Sequence, residues 1–194
     1  MVVGFLADGV SSRSSSGSDG SNICARRASA ERAANILGVS AVSFGDLPDN
    51  SMDTLPLLHI AQEVDALFQR FKPTTVYTHF SGDLNIDHRL THEAVLIASR
   101  PQPSSSVTTV LTFETASSTE WRSPSASAAF RPDWFVDIEE TLSQKLEALG
   151  AYAEELRKWP HSRSLEAVEH LARWRGATVG RPAAEGFVLA LHIR

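Results

Sequence analysis

The sequence predicts an α/β fold with a mostly parallel sheet, and two observations carry that prediction. Short apolar, β-branched runs alternate along the chain with segments whose apolar residues recur at helical spacing. Strands and helices that alternate in this way form βαβ units, whose strands run parallel. A chain of 194 residues with 42% hydrophobic residues can bury roughly 70% of its unfolded surface in one core. We therefore expect a single domain over residues 1–194.

Six strands are predicted from the apolar runs. They cover residues 2–7, 41–44, 74–80, 107–114, 134–138 and 186–193. The polar segment "SSRSSSGSDGS", residues 11–21, follows the first of them. Its composition is typical of a flexible loop, but it also leaves the carboxyl end of a strand, where α/β sheets bind ligands. Both interpretations stay open.

Five helices are predicted between and after these strands. They cover residues 25–37, a segment between Thr54 and Pro73, and residues 86–99, 139–156 and 165–175. Gly38 follows the first helix as a natural C-cap, and Pro73 stops the second. On the third helix, the spacing of His88 and His92 places both side chains roughly opposite the apolar stripe, so neither is expected to face the main core.

Composition and charge narrow the function. The net charge is −5, with scattered Lys and Arg, which argues against a surface that follows nucleic-acid phosphates and favours small neutral or polar substrates. The single cysteine, Cys24, cannot form an internal disulfide, and no apolar stretch is long enough to span a membrane. We expect a soluble, cytoplasmic protein.

The stretch "SGDLNIDHRLTHEA", residues 81–94, concentrates polar residues at the end of the third predicted strand. His88 lies in the first turn of the following helix, where the helix dipole disfavours imidazolium and leaves the neutral ring that a metal requires. Zinc needs three or four protein ligands in structural sites and usually three in hydrolytic sites. His79, Asp83 and His88 could form such a set, and His92 is either a structural histidine or a further ligand.

Two further residues occupy positions that suit a cleft. Glu114 ends a predicted strand at the ligand edge of the sheet, and His161 lies in a loop before a helix that Ser164 caps. Either a cleft role or a purely local contact explains each residue.

"GDLNIDHRLTHEAV" resembles the third signature of the PIG-L/LmbE-like deacetylases, zinc enzymes that remove acetyl groups from N-acetylglucosamine and related compounds. Other segments are similar in the same order: "FLADGVSSR", "RRASAERAANILGV" leading to "LPDNSMD", "FETASSTEW" and "PHSRSLEAVEHLARWRG". The resemblance implies a Rossmann-like three-layer sandwich, a zinc cofactor and a small N-acetylated sugar or glycoconjugate as substrate. The charge distribution argues against a nucleic-acid partner, and a homo-oligomer stays open.

The resemblance also implies a role for individual residues. His88 is the implied zinc ligand, and Asp87 is its polar neighbour at the catalytic centre. Asn85 stands where many relatives carry a histidine that polarises the substrate carbonyl, so its amide is the implied oxyanion donor. The implied substrate contacts are Asp83, which would face the cleft, Asp49 and Arg26, to which we add Glu114 and His161. For Arg26 a solvated helix face is the alternative, because Arg27 could serve instead.

One family feature has no counterpart in the sequence. Relatives open with a strand that runs into Ala-His-Pro-Asp-Asp-Glu, which supplies two zinc ligands and the general base, and this chain contains no such motif. We expect that segment to lie upstream of residue 1, in an N-terminally truncated N-deacetylase. The alternative hypothesis is a catalytically inactive member that binds carbohydrate or is vestigial.

Overall fold

The computed structural model describes residues 1–7, 19–123 and 129–194, with the side chains of residues 19–22 left out. Most of the Ser/Gly-rich segment 11–21 lies outside the described residues. The described chain alternates strands with helices, which confirms the predicted α/β fold. No described helix has both the length and the apolar character needed to cross a membrane.

All six predicted strands are present, with ends displaced by a few residues. They are β1 Val2–Ala7, β2 Ala41–Leu47, β3 Thr75–His79, β4 Thr109–Phe113, β5 Trp134–Asp137 and β6 Ala184–His192. β1 and β2 form a two-stranded parallel sheet, and the other strands form a sheet in the order β3-β4-β6-β5. β3 and β4 pair in parallel, whereas β4 and β6 pair antiparallel.

The five predicted helices are also present. They are α1 Asp19–Ile36, α2 Leu57–Phe71, α3 Ile86–Ala98, α4 Leu142–Gly150 and α5 Leu165–Ala177, with 3-10 turns at Met52–Thr54 and Glu139–Thr141. Helix α4 is shorter than the predicted 139–156, because its first three residues form a 3-10 turn and turns follow Gly150.

The ends of α1 and α2 follow from local chemistry. Gly38 has φ +68°, and the N–H groups of Gly38 and Val39 donate to the Asn35 and Ala34 carbonyls at 3.2 and 2.9 Å. These two bonds form a Schellman motif, as the glycine predicted. Helix α2 ends differently: Lys72 takes the left-handed conformation at φ 46° and donates its N–H to the Phe68 carbonyl at 2.8 Å.

The chain divides into two compact units. The first unit comprises Met1–Asp49 and Phe135–Glu185, and the second comprises Asn50–Trp134 and Gly186–Arg194. In the first unit a buried cluster forms from Ile138, Leu142, Ala172 and Ala183. In the second unit the largest fully buried apolar side chains are Ile60, Val110 and Leu111, which lie on α2 and β4.

Candidate functional site

The start of α3, in the second unit, brings together Asp83, Asn85, Asp87 and His88 of the predicted site. Asn85 is the N-cap residue, with φ −69° and ψ 129°, and its Oδ1 accepts the Asp87 N–H at 2.8 Å. An Asn side chain in this position satisfies a helix N–H that has no partner within the helix. The cap fixes the start of the helix. Four predicted site residues, Asp83, Asn85, Asp87 and His88, therefore lie in the short stretch between the end of β3 and the first turn of α3.

Asp83 lies at the centre of this segment and has no exposed surface. Its Oδ1 accepts the Asn85 N–H at 2.9 Å and the Ser118 hydroxyl, and the His88 Nδ1 lies 3.0 Å from the same oxygen. Its Oδ2 accepts the Thr119 hydroxyl at 2.7 Å. The sequence-based expectation placed Asp83 against substrate, whereas the structure surrounds its carboxylate with groups of the protein.

The surroundings of Asp83 decide its charge. Burial by itself raises the pKa of this carboxyl, but the hydrogen bonds from His88, Ser118, Thr119 and the Asn85 N–H together outweigh that effect and hold the pKa well below its ordinary value. Asp83 is therefore ionised at neutral pH and acts only as a hydrogen-bond acceptor.

His88 presents its two ring nitrogens to different surroundings. Nδ1 faces Asp83, and the ring stacks on His79 with centroids 4.1 Å apart and planes 18° from parallel. The side chain keeps 21% of its surface exposed, so the ring is neither fully buried nor free to turn. Nε2 has no hydrogen-bond partner among the described residues, which makes it the nitrogen that can meet a ligand.

His79 stacks on His88, and its backbone carbonyl contacts a third histidine, His92. Burial lowers the pKa of His79 to about 3, assisted by the neighbouring His88 and His92 and opposed by Asp83. Nδ1 of His79 is buried without a hydrogen-bond partner in the described structure. His92 is buried, and its Nδ1 lies 3.0 Å from the His79 carbonyl. The prediction that His92 faces away from the core is wrong, because this carbonyl holds the ring against β3.

Asp87 and Asn85 fix the segment that follows β2. The buried Asp87 carboxylate accepts the N–H groups of Asn50 at 2.5 Å and Met52 at 3.0 Å. The Asn85 Nδ2 donates to the Asn50 Oδ1 at 2.9 Å. Asn50 has φ 54°, a left-handed conformation that is uncommon outside glycine but tolerated by asparagine. The two predicted catalytic residues thus hold the chain at the point where Asp49 ends the first unit.

Four residues of this site were missed by the sequence analysis. Ser118 and Thr119 follow β4 and donate to Asp83, whereas the guanidinium groups of Arg89 and Arg122 donate to the Asp83 carbonyl at 2.8 and 3.1 Å. The polar run that begins with Thr115 could have indicated Ser118 and Thr119. It follows β4, and the carboxyl ends of neighbouring parallel strands such as β3 and β4 meet at one edge of the sheet. Glu114, which was predicted, is partly buried directly after β4.

The remaining predicted residues, Arg26, Asp49 and His161, belong to the first unit. Arg26 pairs with Glu155 at 2.7 Å, and Arg163 pairs with the other oxygen of Glu155 at 3.2 Å. The His161 Nδ1 accepts the Arg163 N–H at 3.0 Å. Asp49 is partly buried just after β2. The neighbouring Arg27 instead reaches Asp46 at 3.3 Å and lies over the Phe44 ring.

The fit to a zinc ion can be judged from the donor atoms. His88 offers its Nε2, while the opposite ring nitrogen, Nδ1, faces the Asp83 carboxylate, an arrangement common around metal-binding histidines. Among residues 1–7, 19–123 and 129–194, however, no three His, Cys, Asp or Glu side chains are grouped so that they could hold a metal ion. The described residues thus supply one suitable ligand and no complete set.

Comparison with protein-family models gives a match to PIG-L, described as GlcNAc-PI de-N-acetylase, over residues 2–99. The chain belongs to this family. The match covers β1 to α3 and includes the whole 83–88 segment. It confirms the resemblance inferred from the sequence motifs. None of the curated proteins matches the chain.

Solved structures share the fold over almost the whole chain. GalB, the 4-carboxy-2-hydroxymuconate hydratase from Pseudomonas putida, is 24% identical, with a TM-score of 0.76 over 100% of this chain and 85% of its own. N,N'-diacetylchitobiose deacetylase from Pyrococcus horikoshii is 18% identical, with a TM-score of 0.75 over 98% and 72%. The zinc-inhibited form of teicoplanin deacetylase Orf2 is 18% identical, with a TM-score of 0.72 over 97% and 87%. At these identities the likeness establishes the LmbE-like fold.

Proposed function

We propose that this protein is a zinc-dependent hydrolase that removes the acetyl group from an N-acetylated sugar or glycoconjugate. In this reaction water adds to the acetamide carbonyl, the C–N bond breaks, and acetate and a free amine leave. Membership of the PIG-L family supports the reaction class. The observation that carries the proposal is the His88 ring, which lies inside the family match and turns Nε2 away from the buried Asp83.

His88 is the residue we assign to the metal. Its Nε2 is an imidazole donor of the kind that zinc accepts, and the stack against His79 holds the ring in place. When bound, zinc supplies a Lewis acid and an activated water. The neighbour described as the zinc-inhibited form of teicoplanin deacetylase Orf2 supports the choice of zinc as the metal.

Asn85 is the group we assign to the carbonyl oxygen of the substrate. Its amide nitrogen carries two hydrogens, and the hydrogen bond to Asn50 uses one of them. The second is the donor that this role requires, and it lies at the start of α3, where the helix dipole favours developing negative charge. Asp87 serves the same centre by holding the N–H groups of Asn50 and Met52.

The sugar hydroxyls are the partners we assign to Arg26, Asp49, Glu114 and His161. A guanidinium can donate two parallel hydrogen bonds, and a carboxylate can accept from paired hydroxyls. Asp83 does not belong to this group, because its carboxylate has no exposed surface and four protein donors surround it.

Acetate release tests this function. The purified protein is incubated with zinc and a panel of N-acetylated sugars, including N-acetylglucosamine and N,N'-diacetylchitobiose, and acetate and free amine are measured together. Asn85→Ala should lower kcat by about 10²-fold, the usual scale for the loss of one oxyanion donor. An unchanged kcat in Asn85→Ala would remove Asn85 from the proposed role.

Carbohydrate binding without turnover is the second candidate. The observation that favours it is that no three His, Cys, Asp or Glu side chains within the described residues are grouped so that they could hold a metal ion. Calorimetry with the same sugars separates the two functions. A hydrolase releases acetate from at least one sugar, whereas a binding protein gives saturable heat and leaves the acetyl group in place.

A further inference from the structure

The geometry points to a positioning role for Asp83: its carboxylate holds the His88 ring in the tautomer that carries the proton on Nδ1 and leaves Nε2 as an acceptor. This inference rests on the proposed function only in giving His88 a part in the reaction. Nothing in the sequence motif assigns that role to Asp83, whose expected partner was the substrate.

Either Asp83 or His88 must carry the proton of the hydrogen bond between them. The Asp83 Oδ1 and the His88 Nδ1 lie 3.0 Å apart, a hydrogen-bond distance for nitrogen and oxygen. A carboxylate that accepts two hydroxyls and a backbone N–H is ionised and has no proton to give. The proton between the two residues therefore resides on Nδ1 of His88. A neutral imidazole with a proton on Nδ1 carries its lone pair on Nε2.

The Asp83 carboxylate and the His88 ring are both held in place by their neighbours. Asp83 cannot rotate away from His88 without losing its bonds to Ser118, Thr119 and the Asn85 N–H, and its lack of exposed surface leaves no water to replace them. The His88 ring cannot turn over freely either, because the His79 ring lies parallel to it at 4.1 Å. Both partners of the bond are thus fixed before any ligand arrives.

The bond to Asp83 selects the less common of the two neutral tautomers of the His88 ring. In water the neutral histidine ring favours the tautomer with the proton on Nε2, which would direct an N–H, not a lone pair, at an incoming ligand. The bond to Asp83 reverses this preference. An Asp83 carboxylate that touched substrate would need exposed surface, and it has none. The positioning role therefore explains the burial, the four donors and the orientation of His88 together.

Nitrogen NMR on the full chain, labelled with nitrogen-15 in histidine and held at pH 8 without metal, reports the tautomer directly. The chain has seven histidines, and a His88→Gln variant identifies the His88 signals. The unsubstituted protein should show His88 mainly with the proton on Nδ1. Asp83→Ser, whose side chain is too short to reach the ring, should switch the majority to the Nε2-protonated form.

Matched controls keep the result specific. Ser118→Ala removes one donor from Asp83, and Asp87→Asn changes the other buried carboxylate of the segment, so both should retain the Nδ1 proton on His88. If Asp83→Ser does not fold, Asp83→Asn decides, because its weaker acceptor should lower the Nδ1-protonated fraction. An equal fraction in the unsubstituted protein and in the Asp83 variants would overturn the inference. The measurement uses neither metal nor substrate, so the tautomer of His88 can be determined even if the protein does not hydrolyse the proposed substrates.

Discussion

Two polar regions that contain predicted site residues are built in opposite ways. The 83–88 segment of the second unit buries Asp83 and Asp87 and satisfies them with backbone N–H groups and short hydroxyls. The Glu155 cluster of the first unit, formed by Glu155, Arg26 and Arg163, pairs long side chains that keep 18%, 29% and 40% of their surface exposed.

This difference in burial shows which region is preorganised. A buried carboxylate that loses its donors, or donors that lose their carboxylate, must stay unpaired, because water cannot reach them. Partly exposed ion pairs exchange protein partners for water at little cost. The 83–88 segment is therefore suited to hold reacting groups in fixed positions, and the Glu155 cluster is suited to adapt to a polar ligand.

The largest loss of stability is expected from a substitution of Asp83, in the buried region of this comparison. Asp83→Ala leaves Ser118, Thr119, the Asn85 N–H and His88 without their common acceptor, so we expect a loss of about 3–5 kcal/mol in the free energy of unfolding. Urea unfolding monitored by tryptophan fluorescence measures it. Asp46→Ala is the matched control, because that carboxylate is almost fully exposed and its removal should leave the unfolding midpoint unchanged. A similar midpoint for both variants would show that the Asp83 network is not a stabilising feature.

The next effect concerns pH and His79. Its folded-state pKa is about 3, against 6.5 for the unfolded chain, so the unfolded state binds the extra proton between these values. Stability should therefore be complete above pH 6.5 and fall by about 2–3 kcal/mol towards pH 4.5 from this residue alone. His79→Leu should flatten that part of the profile. His59→Leu, on an exposed ring, serves as control, and a profile that His79→Leu leaves as steep would contradict the argument.

A smaller loss is expected at Asp87. Asp87→Asn keeps the size of the side chain, but its amide oxygen can accept one of the two N–H groups of Asn50 and Met52 while its NH₂ faces the other. We expect a loss of about 1–3 kcal/mol in unfolding free energy. Hydrogen exchange of the Asn50 and Met52 amides reports the same bonds locally. Exchange that stays slow in the variant would mean that other contacts hold this turn.

The smallest effect belongs to the Glu155 cluster. Arg26→Met keeps an aliphatic stem and removes one partner of Glu155, which still pairs with Arg163. We expect a change below about 1 kcal/mol, since partly exposed ion pairs contribute little to stability. Thermal unfolding at low and at high salt checks both the size and the screening of the effect. A loss of unfolding free energy as large as that of Asp83→Ala would show that the two regions do not differ in their contribution to stability.

The order of the elements could be predicted because strand and helix periodicity is a local property of the sequence. Gly38 marked its helix end for the same reason, since only a few residues tolerate a positive φ. The antiparallel direction of β6 was not predictable from its apolar run, because the pattern of a strand does not state which neighbour it pairs with.

The proximity of the candidate site residues was predictable where one motif contains them, and not where distant segments meet. Asn85, Asp87 and His88 lie within four residues, so their proximity followed from sequence. The partners Ser118 and Thr119 lie more than thirty residues from Asp83, and only the parallel pairing of β3 and β4 indicates that they meet. Burial of Asp83, in the loop before α3, and of His92, on α3, is likewise a result of packing, which the local sequence did not reveal.

Acetate release by the unsubstituted protein and by His88→Ala, measured side by side with zinc and one N-acetylated amino sugar, tests the central claim most directly. The account predicts acetate and free amine in equal amounts from the unsubstituted protein and background rates from His88→Ala. Circular dichroism of both proteins confirms that the comparison is between folded chains. Equal release by both proteins, or sugar binding by the unsubstituted protein with no acetate from any N-acetylated sugar, would contradict a deacetylase centred on His88.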